Sequence, residues 1–476
     1  MTGPQTALLT DFYQLTMAQG YWHTGLRERE VCFDYFFRSN PFGGGYTVTA
    51  GLPDALAFLR DFAFTDEDLA HLDTLDVFGG KFLEYLGKLR FRGEVHAAAE
   101  GTVAFPMEPV LRVTGKLDEC QLVESALLNI LNFQSLVATK ACRIYREAGG
   151  DVMEFGLRRA QGVDGAITAS RAAFVGGCAS TSNVEAGRLH GIPVAGTLAH
   201  SWVMAYEDEE TALRRYAAIY GSSSVLLVDT YDTLGTGLPA AIAVARELEG
   251  RGKKLAGIRL DSGDLAKLSR EARAMLDAEG LEDVKIVCSG DLDEHAIRDL
   301  KQRGARIDGW GVGTRLVTAG GDPALAGVYK LAAVRTKDGQ WEPRSKTSDE
   351  PHKATLPGVK QVWRLSGPDG GMVADLIALE SEDPDPGSIL GTRVSGKGGM
   401  ELIRGVHAVT PLLEPVMKGG KILGESEDLM TVRERVQMQV GRLPGPVSRI
   451  DEPEEHLMLV GPDLLDLTQR LRVTHS

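Results

Sequence analysis

The chain has 476 residues, 43% of them hydrophobic and 25% charged, with a formal net charge of −14. That is the composition of a globular protein with a large core, about three domains long, and it excludes both disorder and a disulfide-stapled miniature fold. The acidic balance excludes a general nucleic-acid coat, which needs the opposite sign, but leaves room for a local basic pocket that binds phosphates.

Residues 8–22 have a helical apolar period, with Leu8, Leu9, Phe12, Leu15, Thr16 and Ala18 near one face. Residues 1–20 lack a basic leader and carry Asp11, Tyr13 and Gln14, so a signal peptide is not expected. Residues 31–38 read as a strand, 40–45 as a glycine-rich turn and 46–50 as a second strand, together a hairpin. Residues 52–90 read as broken helix, and 93–114 as strands interrupted at Pro106 and Pro109. The first unit, 1–115, is therefore expected to be mixed α+β.

A long amphipathic helix is expected from Asp118, as its N-cap, to about Ala148, stopped by Gly149 and Gly150. Short apolar runs then recur at 152–155, 173–175, 193–196, 225–228, 255–258, 285–287, 309–312 and 328–331, with helical stretches between them. This rhythm implies βα units and a parallel sheet, and eight strands match a (β/α) barrel over 116–340. Residues 341–476 add strand signals at 359–365 and 372–377, an acidic Pro-containing loop at 380–386 and a charged helix at 424–441. There is no internal repeat, and no apolar run is long enough to cross a membrane, so no membrane partner is expected.

Cys32, Cys120, Cys142, Cys178 and Cys288 are odd in number and none pair at CxxC spacing. Disulfides and a Cys-rich zinc site are not expected, and a reducing, cytoplasmic setting is.

In a parallel barrel the functional side chains gather at the carboxyl ends of the strands. Those ends carry Glu154 to Arg159, Gly176 to Asn183, Gly196 to Trp202, Asp229 to Thr233, Arg259 to Asp264, Ser289 to Asp291 and Gly313 to Arg315. Carboxylates with glycine turns suit Mg²⁺ and phosphates, and arginines suit anion clamping. Each residue alone has a plainer reading. His200 is either a structural histidine or, because it follows an apolar strand, a functional one. Asp229, Asp232 and Asp261 read equally as helix N-caps, one of them at least. Arg259 with Asp261 is either a structural ion pair or a ligand clamp, and Gly313-Thr314 either a turn or a phosphate nest. Spacing alone puts Tyr13 in the core.

Several motifs together resemble the nicotinate phosphoribosyltransferase family. They are Thr10 to Met17, Asn40 to Tyr46, Leu127 to Gln134, Glu154 to Gly162, Gly196 to Trp202, Leu227 to Leu234, Arg259 to Leu265 and Trp310 to Thr318. The stretch from Lys346 to Arg364, with Lys353, Pro357, Gly358 and Lys360, extends the match, which covers residues 8–365 in consistent order. The resemblance implies an α/β fold: an irregular (β/α) barrel of the type II phosphoribosyltransferase kind, packed on an N-terminal α+β sandwich that segments of 341–476 complete. It implies the reaction of nicotinate with phosphoribosyl pyrophosphate to nicotinate mononucleotide and pyrophosphate, coupled to ATP hydrolysis with Mg²⁺, for NAD salvage.

By the same resemblance, His200 is transiently phosphorylated, and Asp229 and Asp261 act with it. Nicotinate meets Thr197, Arg158, Arg259, Phe155 and, from the neighbouring subunit of a homodimer, Tyr13. Arg259, Asp261, Gly290, Asp291, Gly313 and Thr314 take phosphoribosyl pyrophosphate. Mg²⁺ is expected mainly on the substrate phosphates, with its protein ligands left open. Ser180 to Asn183 contains no acid, which favours a carboxylate-bearing base over an amide. The alternatives are a nicotinamide or quinolinate phosphoribosyltransferase, the second being much shorter, and a non-catalytic sensing barrel.

Overall fold

The computed structural model describes residues 7–346, 355–395 and 399–474. Lys353 of the motif above lies outside the described residues. The chain forms two compact units, one of residues up to 139 with those from 324 onward, the other of residues 140–323. The sequence reading places its boundaries at 115/116 and 340/341. The helix Glu124–Ala148 runs through the first boundary of the structure.

The first unit holds a seven-stranded antiparallel sheet. Its strands lie in the order Trp341–Pro343, Gly327–Arg335, Glu30–Phe37, Leu111–Lys116, Glu94–Ala97, Glu414–Lys418 and Lys421–Ile422. Glu30–Phe37 is buried at every position but the first, which explains its lack of polar alternation. Its one buried charge, Asp34, meets Lys360 Nζ at 2.7 Å. A second, six-stranded sheet is built from later segments around Lys360–Ser366 and Met372–Leu379, and the helix Leu429–Gly441 falls in the expected charged stretch.

Two local expectations change here. The strand after the glycine turn, Thr47–Val48, pairs with Val103–Ala104 rather than with Glu30–Phe37. Both edges of Glu30–Phe37 are already filled, and a 3₁₀ turn at Pro41–Gly43, with Phe42 at φ 61°, redirects the chain. The long helix is two helices, Leu117–Leu122 and Glu124–Ala148, broken at Val123. Asp118 lies inside the first turn, where its carboxylate accepts from Tyr85 Oη, and Lys116 holds the cap position.

The second unit is a parallel sheet with helical connections. Its six strands run Ser180–Thr181, Val152–Glu154, Gly309–Val312, Lys285–Cys288, Gly257–Leu260, Val225–Leu227. Residues 173–175 are not a strand but the end of the buried helix Val163–Gly176. A short apolar run looks the same in a buried helix as in a buried strand. Residues 193–196 contribute one parallel bridge, Val194 to Thr181. The 328–331 run belongs to Gly327–Arg335 in the antiparallel sheet of the first unit. Among the described residues the outermost parallel strands do not pair, so the sheet is not closed.

Candidate active site

The carboxyl ends of the parallel strands surround a cavity of about 620 Å³. Chain direction puts these ends on one side of the sheet, where side chains beyond the last paired residue are free to converge. Phe155, Arg158, Thr197, His200, Arg259, Asp261, Gly290, Asp291, Gly313 and Thr314 all line this cavity.

Arg259 organises the floor. Its Nε donates to Ser289 Oγ at 2.7 Å, Nη1 to Thr197 Oγ1 at 2.9 Å and Nη2 to Asp261 Oδ1 at 2.7 Å. Ser289 Oγ also donates to Asp261 Oδ1. Partial burial pushes the Asp261 carboxyl up, but the Ser289 hydroxyl, the Arg259 guanidinium and His200 outweigh it and hold it below the usual carboxylate range. The Arg259–Asp261 ion pair is thus part of the cavity wall.

His200 opens the short helix His200–Met204. Its Nδ1 lies 3.1 Å from Thr230 Oγ1 and its Nε2 3.7 Å from Asp261 Oδ2. Beside it, Asp229 is buried. Its Oδ2 accepts from Asp261 N at 2.8 Å and Ser262 Oγ at 2.7 Å, while Oδ1 has no donor among the described residues. The N-cap among the three aspartates is Asp232, which accepts from Gly235 N at 2.9 Å.

Phe155 lines the same cavity. Its N–H donates to Val312 O at 2.8 Å, and its ring lies 5.8 Å from Arg259 Cζ. A Cβ at Gly311 would stand 2.7 Å from ring carbons of Phe155, so the bare glycine backbone makes room for the ring. Arg158 sits exposed in the 3₁₀ turn Leu157–Arg159. Gly290, at φ 120°, turns the chain after Ser289, and Asp291 pairs with Arg315 at 3.3 Å. Gly313 precedes the helix Thr314–Val317.

Tyr13 is half exposed on the helix Phe12–Thr24 of the first unit and does not line the cavity. It is therefore not the core residue that spacing suggests. Gln14 Nε2 donates to its hydroxyl at 2.9 Å.

The site residues that sequence reasoning passed over are hydroxyls: Thr230 on His200 and Ser289 bridging Arg259 and Asp261. Their only signal is position at a strand end, which any solvated loop shares. Glu209 lies outside the cavity lining, near Asp229, Asp232 and His200. It is buried, it accepts from Thr236 Oγ1 at 2.9 Å, and burial, with the charges of Asp229 and Asp232, raises its pKa. Among the described residues no group of three or more His, Cys, Asp and Glu is placed to hold a metal ion.

An α/β fold with a polar cavity at the ends of its parallel strands, clamped by arginines and carboxylates, is the arrangement of an enzyme that handles a small anionic substrate. Family profiles match nearly the whole chain. They are the nicotinate phosphoribosyltransferase (NAPRTase) N-terminal domain over residues 8–132, the NAPRTase family over 151–364 and the C-terminal domain over 359–468. The nicotinate phosphoribosyltransferase of Bacillus subtilis (strain 168) is 43% identical over 462 residues, covering 94% of this chain and 92% of that one. The Homo sapiens nicotinate phosphoribosyltransferase is 37% identical over 525 residues, covering 98% and 96%. The crystal structure of human nicotinic acid phosphoribosyltransferase superposes with a TM-score of 0.84 at 34% identity, over 97% of this chain and 99% of that one. The chain belongs to the nicotinate phosphoribosyltransferase family and is an enzyme of that type.

Proposed function

We propose that the cavity joins the pyridine nitrogen of nicotinate to the anomeric carbon of phosphoribosyl pyrophosphate, with ATP hydrolysis coupled through phospho-His200. One C–N bond forms, one C–O bond breaks and pyrophosphate leaves. The carbon passes through an oxocarbenium-like centre while charge builds on the leaving group. The single observation that carries this reading is the three-way grip of Arg259 on Ser289, Thr197 and Asp261 within reach of His200.

Each group then has a task. Arg259, Arg158 and Thr197 receive the nicotinate carboxylate, and Phe155 covers one face of its ring. The pocket-lining Ser182 sits in a segment, Ser180 to Asn183, without an acid that would repel that carboxylate. Gly290, Asp291, Gly313 and Thr314 form the phosphate cradle, and Asp261 with Arg259 faces the ribose. Mg²⁺, when bound, neutralises charge on the departing pyrophosphate. Asp261, which lines the cavity, and the neighbouring Asp229 are the carboxylates that would hold it.

Asp261 beside Nε2 favours the tautomer that keeps its proton there. The Nδ1 lone pair is then free to accept from Thr230 or to attack the terminal phosphorus of ATP, releasing ADP. The phosphoryl group brings almost two negative charges, which the same cations must accommodate, so phosphorylation changes how the cavity holds its anionic substrates.

Tyr13, half exposed on the first unit, is proposed to cover the second ring face in the partner of a homodimer. In this reading the parallel sheet is an irregular barrel left open, and the first unit is a sandwich. Five buried cysteines, odd in number and without a CxxC pair, support a reducing, cytoplasmic setting. No helix among the described residues is long and apolar enough to cross a membrane.

The test is product formation from nicotinate, phosphoribosyl pyrophosphate and Mg²⁺ with and without ATP. Nicotinate mononucleotide that rises with ATP supports the coupled reaction. Product from nicotinamide alone, or donor binding without turnover, would overturn it.

A further inference from the structure

Glu154 is completely buried at the end of the strand Val152–Glu154, immediately before Phe155. A buried carboxylate persists only when its oxygens are well supplied with donors. Glu154 Oε1 accepts from the Gly156 N–H, and Oε2 accepts from Ser170 Oγ at 2.8 Å and Thr181 Oγ1 at 2.5 Å. Its own carbonyl accepts from Ser182 N at 2.8 Å.

The donors are tied to one another. Thr181 Oγ1 accepts from Asn183 N at 2.9 Å, and Asn183 Nδ2 donates to Ser170 Oγ at 3.3 Å. Asn183 Oδ1 in turn caps the helix Val184–His190 by accepting from Ala186 N at 3.2 Å. Gly156 has no room for a side chain, since a Cβ would stand 2.2 Å from Val317 and 2.9 Å from Glu154 Oε1. The carboxylate and the backbone it holds are therefore fitted to each other.

What Glu154 holds is cavity wall on two sides. Gly156 lies between Phe155 and the Leu157–Arg158 turn, and Thr181 lies next to Ser182, and all of these flanking residues line the cavity. An ordinary core position would hold one element. This one joins the ends of two neighbouring strands through one anionic group that the cavity itself never exposes.

We infer that Glu154 is a positioning residue that locks Phe155 and Arg158 on one side and Ser182 on the other into a single nicotinate-facing wall, setting affinity for the pyridine substrate without touching it. The inference rests on the reading of the cavity proposed above. Displacements of about an ångström at such walls are enough to cost on the order of tenfold or more.

The experiment compares wild type with Glu154→Gln, Thr181→Val and Thr181→Ser, varying nicotinate and phosphoribosyl pyrophosphate separately and recording melting curves. Glu154→Gln and Thr181→Val should raise KM for nicotinate on the order of tenfold and leave KM for the ribose donor within about twofold. Thr181→Ser, which keeps the hydroxyl, should behave as wild type. Unchanged KM values with only a lower melting temperature would make Glu154 a core group and overturn the inference. Should Glu154→Gln fail to fold, the Thr181→Val and Thr181→Ser pair decides by the same criterion. A wild type that makes no nicotinate mononucleotide would instead overturn the reading of the cavity, and the inference with it.

Discussion

Arg259 and Asp261 stand two positions apart at one strand end, with Arg259 Nη2 2.7 Å from Asp261 Oδ1. Side chains two apart on an extended segment share a face, so the local geometry alone delivers a cation and an anion together into the cavity. The three donated bonds of Arg259 still leave a hydrogen on each terminal nitrogen for a ligand oxygen. Arg259→Lys keeps the charge but loses this fork. It should lower kcat/KM for nicotinate by about 100-fold, read by steady-state kinetics. Activity near wild type would show that charge alone suffices.

His200→Ala should abolish ATP-dependent labelling of the protein by γ-phosphate. The stimulation of product formation by ATP should vanish with it. A label that is acid-labile and base-stable marks a phosphorus–nitrogen bond. Persistence of that label in the variant would place the phosphoryl group elsewhere.

Asp229→Asn tests the orphaned oxygen. The amide can still accept from Asp261 N and Ser262 Oγ, but it brings two donors and no charge next to the site. Turnover should fall on the order of 100-fold with a higher Mg²⁺ requirement, measured by titrating the metal at fixed substrates. An unchanged Mg²⁺ curve would remove Asp229 from the metal's surroundings.

Gly311→Ala should disturb the aromatic wall and, with its methyl 3.2 Å from Ser289 Cβ, also press on the residue that bridges Arg259 and Asp261. The added methyl meets the Phe155 ring at 2.7 Å and must push it toward the cavity. Nicotinate binding should weaken while the melting temperature changes little, and tryptophan fluorescence titration with the substrate would show it.

His456 gives the pH dependence of stability. It is buried, stacked on Phe105 at 3.8 Å between centroids, with its Nε2 3.7 Å from Asp375. Burial lowers its pKa to about 4, the Asp375 charge opposing and the Arg364 charge assisting. The folded state then binds fewer protons than the unfolded state between about pH 4 and pH 6.5, so stability rises with pH across that window. His456→Phe should flatten the rise, by as much as about 3 kcal/mol between the two ends, in urea unfolding at pH 4.5 and pH 7. Glu108, whose carboxyl is pushed up by burial and by Asp375, pulls the other way above the usual carboxylate range. An equally steep profile in the variant would assign the window to other groups.

Much of the parallel-sheet unit was legible in the sequence. Val225–Leu227, Gly257–Leu260, Lys285–Cys288 and Gly309–Val312 are strands close to the expected positions, because each is a short apolar run bounded by turn residues. The helix Val163–Gly176 was not legible, since its buried face makes it apolar all round near residues 173–175. Nor was the destination of Gly327–Arg335. Its pattern reports a strand, but its partner is Glu30–Phe37, and nothing local encodes a pairing across so much chain. Within the site, the charged residues announced themselves by type. Thr230 and Ser289 did not, and the role of Glu154 did not either, because their parts depend on which oxygen faces which donor after the strands are aligned.

The pairing of Glu30–Phe37 with Gly327–Arg335 also sets an order for synthesis. The first strand leaves the ribosome with one edge that stays open until the whole parallel-sheet unit has followed it. At ordinary elongation rates that interval is roughly 15–60 s. Throughout it a strongly apolar strand, Val31 to Phe37, has an unpartnered backbone edge. The nascent chain is thus most exposed to misassociation before its parallel-sheet unit is complete, and chaperone dependence should be greatest for chains truncated just short of residue 327.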